Sequence, residues 1–401
     1  MKILYISTSS SERLVNQIYQ TTGRDPGYSM QKFNRLLLKG LLASGADVSV
    51  FSNPPITREV SRELFIKIGK EEECGIKYCY APIVNIPIIK HLCVIIYAFF
   101  YVLFWGAKDA RNKTIICDVL NVSICLGALL ATKINRVQSV GIVTDIYGLM
   151  VNFIQKRFRR FIFQSAHRIH DLYVTSYDKY ILLTEQMNER VNPKGHPYIV
   201  MEALCDSSLK DEGQKDVEKA SPRTVLYAGG LYAKYGVKML VEGFIKADVK
   251  DARLVLYGSG SYVEELVEVC KKHANVEFRG VAPNEEVMEE ELKATLLVNP
   301  RPTDEEFTKY SFPSKNMEYM ASGTPVLTTR LPGMPKEYNP FVYLFDDETV
   351  DGYADSLRNV LVHPTEELRD KGVKAKRFVL DTKNNVVQAK RVIELVHSDK
   401  I

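Results

Sequence analysis

The twenty residues 310–329, YSFPSKNMEYMASGTPVLTT, constrain the fold more than any other stretch, because they read as a short bounded helix running straight into a buried strand. Pro313 suits the first helical position, where its missing N–H costs nothing, and Gly323 suits the left-handed residue just past the helix end. Ser314, Lys315 and Asn316 then present backbone N–H groups at the positive end of the helix dipole, with the Lys315 ammonium beside them. That chemistry suits a diphosphate. Glu318 shares a helix face with Ser314 and Lys315, one turn on, where it can accept hydrogen bonds from sugar hydroxyls. The same residues also read as an ordinary amphipathic helix, with Met317, Met320 and Ala321 on a sheet and a solvated lysine and glutamate outside.

FPSK followed by EYMASGTPVL resembles the donor-binding helix of family-four retaining glycosyltransferases with the GT-B fold. Such enzymes move a sugar from a nucleotide diphosphate carrier to an acceptor. The resemblance implies an α/β chain of two Rossmann-like domains facing across a cleft, and it assigns Phe312, Pro313 and Ser314 to the donor, with Lys315 and Glu318 catalytic. That family carries two glutamates eight positions apart; Glu318 matches the second, and Tyr310 stands where the first would be. The Ser-Phe-Pro-Ser-Lys variant is similar to a polysaccharide-assembling branch of the family.

A chain of 401 residues exceeds one ordinary core and predicts two domains. The expected division is an acceptor-side, membrane-facing domain over 1–204, a polar linker over 205–222, a nucleotide-sugar domain over 223–382, and a helix over 383–401 crossing back. The net charge of +4 is unevenly spread: residues 1–200 hold 25 Lys and Arg against 15 Asp and Glu, and the remainder 28 against 34. A basic first half suits an anionic surface, although scattered surface lysines explain it equally simply. The seven cysteines form no C-x-x-C pair and read as reduced, buried thiols. MKILYISTSS reads as a first buried strand rather than a signal peptide, so a cytoplasmic chain is expected.

Residues 2–7, a glycine-bearing loop, a helix over 29–44 and a strand over 47–52 make a Rossmann-like opening. Gly27 and Tyr28 lie in the loop at the carboxyl end of the first strand and are candidates for the acceptor. The uncharged run 92–107, LCVIIYAFFYVLFWGA, spans about 24 Å as a helix, short of a bilayer's hydrocarbon core. It is either a core helix or an interfacial one, and at least partial burial in the protein is the expectation. Asp145 follows the strand at 139–144; it can hold an acceptor hydroxyl or act as a base, or serve simply as a turn residue. The basic, aromatic segment NFIQKRFRRFIFQSAHRIH at 152–170 suits anionic lipid, though it also reads as a solvated helix. No nucleic-acid motif accompanies it.

In the second half a strand over 224–228, the glycines Gly229 and Gly230, and a helix over 236–247 are similar to the family's first donor-domain turn. There the family places an arginine and a lysine on the diphosphate. Gly230 and Tyr235 occupy those positions here, with Lys234 next door as a substitute. Gly258, Ser259 and Gly260 form a second turn open to a ligand, and Val281 lies in the loop that reads the nucleobase through its backbone. Arg301 leaves another strand end; it binds phosphate or pairs with Asp304 or Glu305.

No D-x-D pair, HExxH or His/Cys cluster is present, so no metal site and no cofactor are expected, the nucleotide sugar being substrate. The resemblance implies a hexosyltransferase that retains anomeric configuration, with a UDP-sugar as the expected donor and a saccharide or lipid-linked acceptor. It would work on the cytoplasmic face of a membrane in surface exo- or capsular polysaccharide assembly. Two other readings stand beside it: a nucleotide-sugar epimerase on the same plan, and an inactive membrane-associated partner.

Overall fold

The structure, a computed structural model, describes residues 1–23, 27–86, 88–146, 171–210 and 217–398. The basic segment expected to meet lipid lies outside the described residues from 152 to 170. The chain divides into two compact units, Met1–Leu204 with Asn385–Ile401, and Cys205–Asn384.

The first unit opens with β1 (Lys2–Ser7), α1 (Glu12–Thr22), α2 (Tyr28–Ala43) and β2 (Asp47–Ser52). The stretch before α2, expected to be loop, thus contains a helix. Ser11 caps α1 by accepting from the Leu14 N–H at 3.1 Å, and the Glu73 carboxylate accepts from the Glu12 N–H at 2.9 Å. There follow β3 (Phe65–Ile66), β4 (Lys70–Glu73), β5 (Ile76–Tyr80), β6 (Ile83–Val84), α3 (Ile89–Gly106), β7 (Lys113–Asp118), α4 (Val122–Asn135) and β8 (Gln138–Val143). The described part of the unit then continues through β9 (Lys179–Leu182), α5 (Met187–Val191) and β10 (Tyr198–Val200). The sheet runs β10-β9-β8-β7-β1-β2-β5-β4 and is parallel except for β4, which pairs antiparallel with β5 at one edge. Buried apolar runs such as Ile3 to Ile6 read as central parallel strands covered on both faces.

The second unit contains β11 (Arg223–Gly230), α6 (Val237–Ala247), β12 (Ala252–Ser259), α7 (Val263–Lys272), β13 (Val276–Phe278), α8 (Asn284–Lys293) and β14 (Leu296–Asn299). It closes with α9 (Ser314–Ser322), β15 (Val326–Thr328), β16 (Tyr343–Leu344), α10 (Val350–Leu361) and α11 (Thr365–Thr382). Its sheet, β13-β12-β11-β14-β15-β16, is wholly parallel and reverses direction of growth between β11 and β14, the place where open parallel sheets bind ligands. The last helix, α12 (Asn385–His397), belongs to the first unit, where the Asn385 amide donates to Leu36 O at 3.1 Å. The start of the expected linker belongs to the second unit: Cys205 is buried and bridges to Asn384.

One expectation is corrected, that every thiol is buried, and one holds, the partial burial of the long apolar helix. Cys117, Cys125 and Cys205 are buried as anticipated, but Cys74 is exposed in the turn between β4 and β5. Helix α3 is buried along one stripe, Val94, Ala98, Val102 and Gly106, while Leu92, Ile96, Phe100 and Phe104 face solvent.

Candidate functional site

Helix α9 is held from beneath by two polar side chains. Asn316 is fully buried; its carbonyl accepts from the Asn299 amide at 2.7 Å, and its own amide donates to Thr328 Oγ1 at 3.3 Å. Tyr319, also buried, accepts from the Ala228 N–H at 3.0 Å and donates to Ala228 O at 3.3 Å. Burial pushes the Tyr319 hydroxyl well above its ordinary pKa, so it stays a donor. The start of the helix is therefore tied to the ends of β11, β14 and β15.

Pro313 is the residue before the first turn rather than within it, and Gly323 closes the helix in the left-handed region with φ 84°. Of the three N–H groups expected at the helix start, that of Asn316 already donates to Pro313 O at 2.9 Å. Ser314 is exposed and Phe312 is buried against the Tyr338 ring, 5.3 Å between centroids. Lys315 and Glu318 pair at 3.5 Å on the half-exposed face, with the Lys315 ammonium 6.0 Å from the Tyr319 ring. The buried side of the helix carries Met317, Met320 and Ala321, so the amphipathic reading and the site reading describe opposite faces of one element.

Among the described residues Arg301 makes no ion pair, with Asp304 or Glu305 or any other acid, contrary to one of its two expected readings. Its guanidinium lies 5.3 Å from the Tyr235 ring centroid and 5.6 Å from that of Phe307, and donates to Ser311 Oγ at 3.4 Å. Among the described residues no carboxylate pairs with it. Burial pulls its pKa below the ordinary value, and Tyr235 and Tyr227 oppose that shift. A desolvated, always-charged group without a counter-ion costs stability unless an anion arrives.

Lys234 approaches the same aromatic group, its ammonium 5.4 Å from the Tyr235 ring and 6.0 Å from Tyr232. The turn is pressed against the exit of β14, since a Cβ on Gly236 (φ 78°) would meet Pro300 O at 1.8 Å. That close approach explains how Tyr235 and Arg301, far apart in sequence, come together. It also explains the missing arginine: a Cβ on Gly230 would sit 3.1 Å from both Tyr232 and Tyr235, so the two rings crowd the room a long side chain would need.

The second glycine turn is reinterpreted. Gly229 and Gly230 continue β11 and pair in register with Gly258 and Ser259 of β12, so these residues are strand rather than turn. A Cβ on Gly258 would meet Gly229 O at 1.8 Å and one on Gly260 would meet Leu231 O at 2.2 Å. Their bareness lets the two strand ends close on each other. Gly258 N–H donates to Gly280 O at 2.8 Å, which fixes the next loop, where Val281 is 77% exposed. Tyr310 is half-buried and closes a backbone turn by donating its N–H to Phe307 O at 3.0 Å.

In the first unit, the half-buried Asp145 accepts from the Ile146 N–H at 2.7 Å, the geometry of a turn residue, and burial raises its pKa. Gly27 precedes α2 with φ 85°, and the Tyr28 side chain lies outside the described residues. Asn299, Phe307 and Tyr319 escaped sequence reasoning. A polar residue closing the apolar run of β14 was the visible signal for Asn299; the aromatic ones carry no signal apart from their partners.

Against this geometry, residues 222–363 match the profile of the family described as "Glycosyl transferases group 1". The matched stretch lies within the second unit, Cys205–Asn384. Solved structures resemble the whole chain. Sucrose-phosphate synthase from Thermosynechococcus elongatus is 16% identical with a TM-score of 0.62, covering 99% of this chain and 100% of that one. The lipopolysaccharide outer core galactosyltransferase WaaB is 16% identical with a TM-score of 0.63, covering 99% of each. Anabaena HepE in complex with UDP is 14% identical with a TM-score of 0.61, covering 100% of each. The fold is therefore that of GT-B glycosyltransferases, with two Rossmann-like domains. No curated protein matches the sequence.

Proposed function

We propose that the chain is a retaining hexosyltransferase that takes a sugar from a nucleoside diphosphate, UDP in the first instance, and passes it to a saccharide or lipid-linked acceptor. The observation that carries this reading is Arg301, a desolvated cation without a carboxylate partner among the described residues, held beside the start of α9 in a group 1 glycosyl transferase domain. The α9 start with Lys315, and Arg301 with Lys234, offer positive charge to the two phosphates of the donor. Glu318 lies one turn on, in reach of sugar hydroxyls, and pairs with Lys315 at 3.5 Å.

In the proposed reaction the bond from the anomeric carbon to the diphosphate oxygen breaks, and a bond to the acceptor oxygen forms on the same face. The acceptor proton leaves with the diphosphate, so no protein nucleophile and no resident cofactor is needed. HepE complexes with UDP and with UDP-glucose on the same fold support the choice of base. WaaB, a lipopolysaccharide galactosyltransferase by name, supports a surface-polysaccharide acceptor, and the proposed place of work is the inner face of a membrane.

Calorimetric titration with UDP, GDP and ADP tests the donor site, and transfer from a radiolabelled UDP-hexose tests the reaction. Binding of one nucleotide that weakens in Lys315→Ala and Arg301→Met supports the reading. A specific observation favours a non-catalytic reading instead: Tyr310 supplies no carboxylate where the resembled family has its first glutamate. Nucleotide binding without turnover on any donor would select that alternative.

A further inference from the structure

We infer that the exposed face of α3, with the adjoining edge of α4, is a bilayer-binding surface that seats the first unit on anionic headgroups with α3 lying in the interfacial plane. This deepens the proposed membrane association and rests on that part of the reading above.

The apolar face is large and ordered. On α3, Leu92, Ile96, Phe100 and Phe104 recur every four residues and are 55%, 57%, 49% and 74% exposed. Phe100 and Phe104 stack on one another, with centroids 6.3 Å apart. On α4, Leu130 and Ile134 are 51% and 62% exposed. They lie within two turns of Gly127, whose Cβ would meet Ile95 O at 2.2 Å, so they border the seam where α3 and α4 touch. Exposed single apolar residues are commonplace; a continuous row along about 18 Å of helix is not.

The opposite stripe keeps α3 from crossing a bilayer. Val94, Ala98 and Val102 are buried, and Phe51 of β2 stacks on Tyr101 at 4.2 Å and on Tyr97 at 5.8 Å. A helix bonded to its sheet on one side and bare on the other has the amphipathic build of an interfacial element.

Charge selects the occupant. His91 meets Ser123 at 2.8 Å, and the Asn135 amide donates to Leu103 O at 2.7 Å, so α3 and α4 run parallel with their carboxyl ends together. At that shared end sit the exposed cations Lys108, Arg111, Lys133 and Arg136, against the acids Asp109 and Asp178, of which Asp178 pairs with Lys133. An apolar row ending in a net-positive cluster fits acyl chains bordered by anionic headgroups; a second copy of this chain would bring the same positive cluster.

The test uses the full-length protein and sedimentation with vesicles of phosphatidylcholine alone or mixed with phosphatidylglycerol. Binding is expected to the anionic vesicles, weakened at high salt, and reduced at least about tenfold in Phe100→Asp/Phe104→Asp. Lys108→Glu/Arg136→Glu should lose the preference for phosphatidylglycerol while its melting temperature is unchanged. Wild-type protein that binds neither vesicle, or a Phe100/Phe104 variant that binds as wild type does, would overturn the proposal. So would a dimer in sedimentation velocity that the phenylalanine variant dissolves while vesicle binding is absent, since a second copy would then be the occupant. UDP titration of the same variants separates the two readings: vesicle binding in a chain that binds no nucleotide would leave this surface standing and remove the transferase.

Discussion

The Arg301 guanidinium lies over the Tyr235 ring, its carbon 5.3 Å from the centroid, and the Lys234 ammonium approaches the same ring at 5.4 Å. One tyrosine therefore gathers two cations at the strand ends. A charge-assisted hydrogen bond is worth about 1.5–3 kcal/mol, so Arg301→Met should weaken UDP binding by roughly ten- to a hundredfold. Its thermal stability should hold or rise, because the variant removes a desolvated charge that no carboxylate among the described residues balances. Arg301→Lys should recover little, since an ammonium lacks the flat, delocalised fork that lies over the Tyr235 and Phe307 rings. Calorimetry and melting curves on the pair decide this; equal binding in all three proteins would remove Arg301 from the donor site.

Gly230 offers a sharper test of why the phosphate-binding set is rearranged. Installing arginine there would restore the residue that the family resemblance leads one to expect. Its Cβ would press on Tyr232 and Tyr235 at 3.1 Å, disturbing the ring that holds Lys234 and Arg301. Gly230→Arg is expected to bind UDP several-fold more weakly than wild type, by the loss of cation–π contacts worth about 0.5–1 kcal/mol each. Tighter binding in a titration would show that the rings yield and that the family arrangement is still available.

The parallel sheets were legible because strands buried on both faces read as apolar runs, and α9 because Pro313 and Gly323 bracket it. Helix α1 was not, since its polar and apolar residues follow a loop-like STSSS and its amino end depends on Glu73, sixty-one residues away. Edge strand β4, KEEE, carries no alternation because charged residues protect a sheet edge rather than fill a core. The glycines at 229–230 and 258–260 announced close approach, but what approaches is the neighbouring strand end. Tyr235 looked like a lost lysine; only the turn held against Pro300 reveals that it organises Lys234 and Arg301.

Asn316 ties α9 to the sheet, and its removal should act through position. Asn316→Ala leaves the buried Asn299 amide without its 2.7 Å acceptor, a cost of about 1–3 kcal/mol. Urea unfolding should show that loss, with UDP affinity and turnover falling together as the helix start shifts. Asn316→Asp keeps an acceptor for Asn299 and should retain more of both. If alanine leaves the unfolding midpoint unchanged, the amide pair contributes nothing to the seating of the helix.

Asp118, at the carboxyl end of β7, gives the first unit a pH dependence of its own. It is buried, and burial raises its pKa from 3.8 to about 6 against the opposing hydrogen bonds from the Leu120 N–H and the Asn121 amide. A carboxyl whose folded pKa is raised binds its proton more tightly in the native state than in the unfolded chain. The stability contributed by the protonated form is therefore complete below about pH 4 and is lost as the pH rises through about 6. Two pKa steps correspond to a change on the order of 3 kcal/mol. Asp118→Asn cannot titrate, so its stability relative to wild type should climb between those two pH values and level off above them. Urea unfolding of both proteins across that range measures the difference; parallel curves would mean that the native carboxylate is already ionised at the lower end and that its two hydrogen bonds outweigh burial.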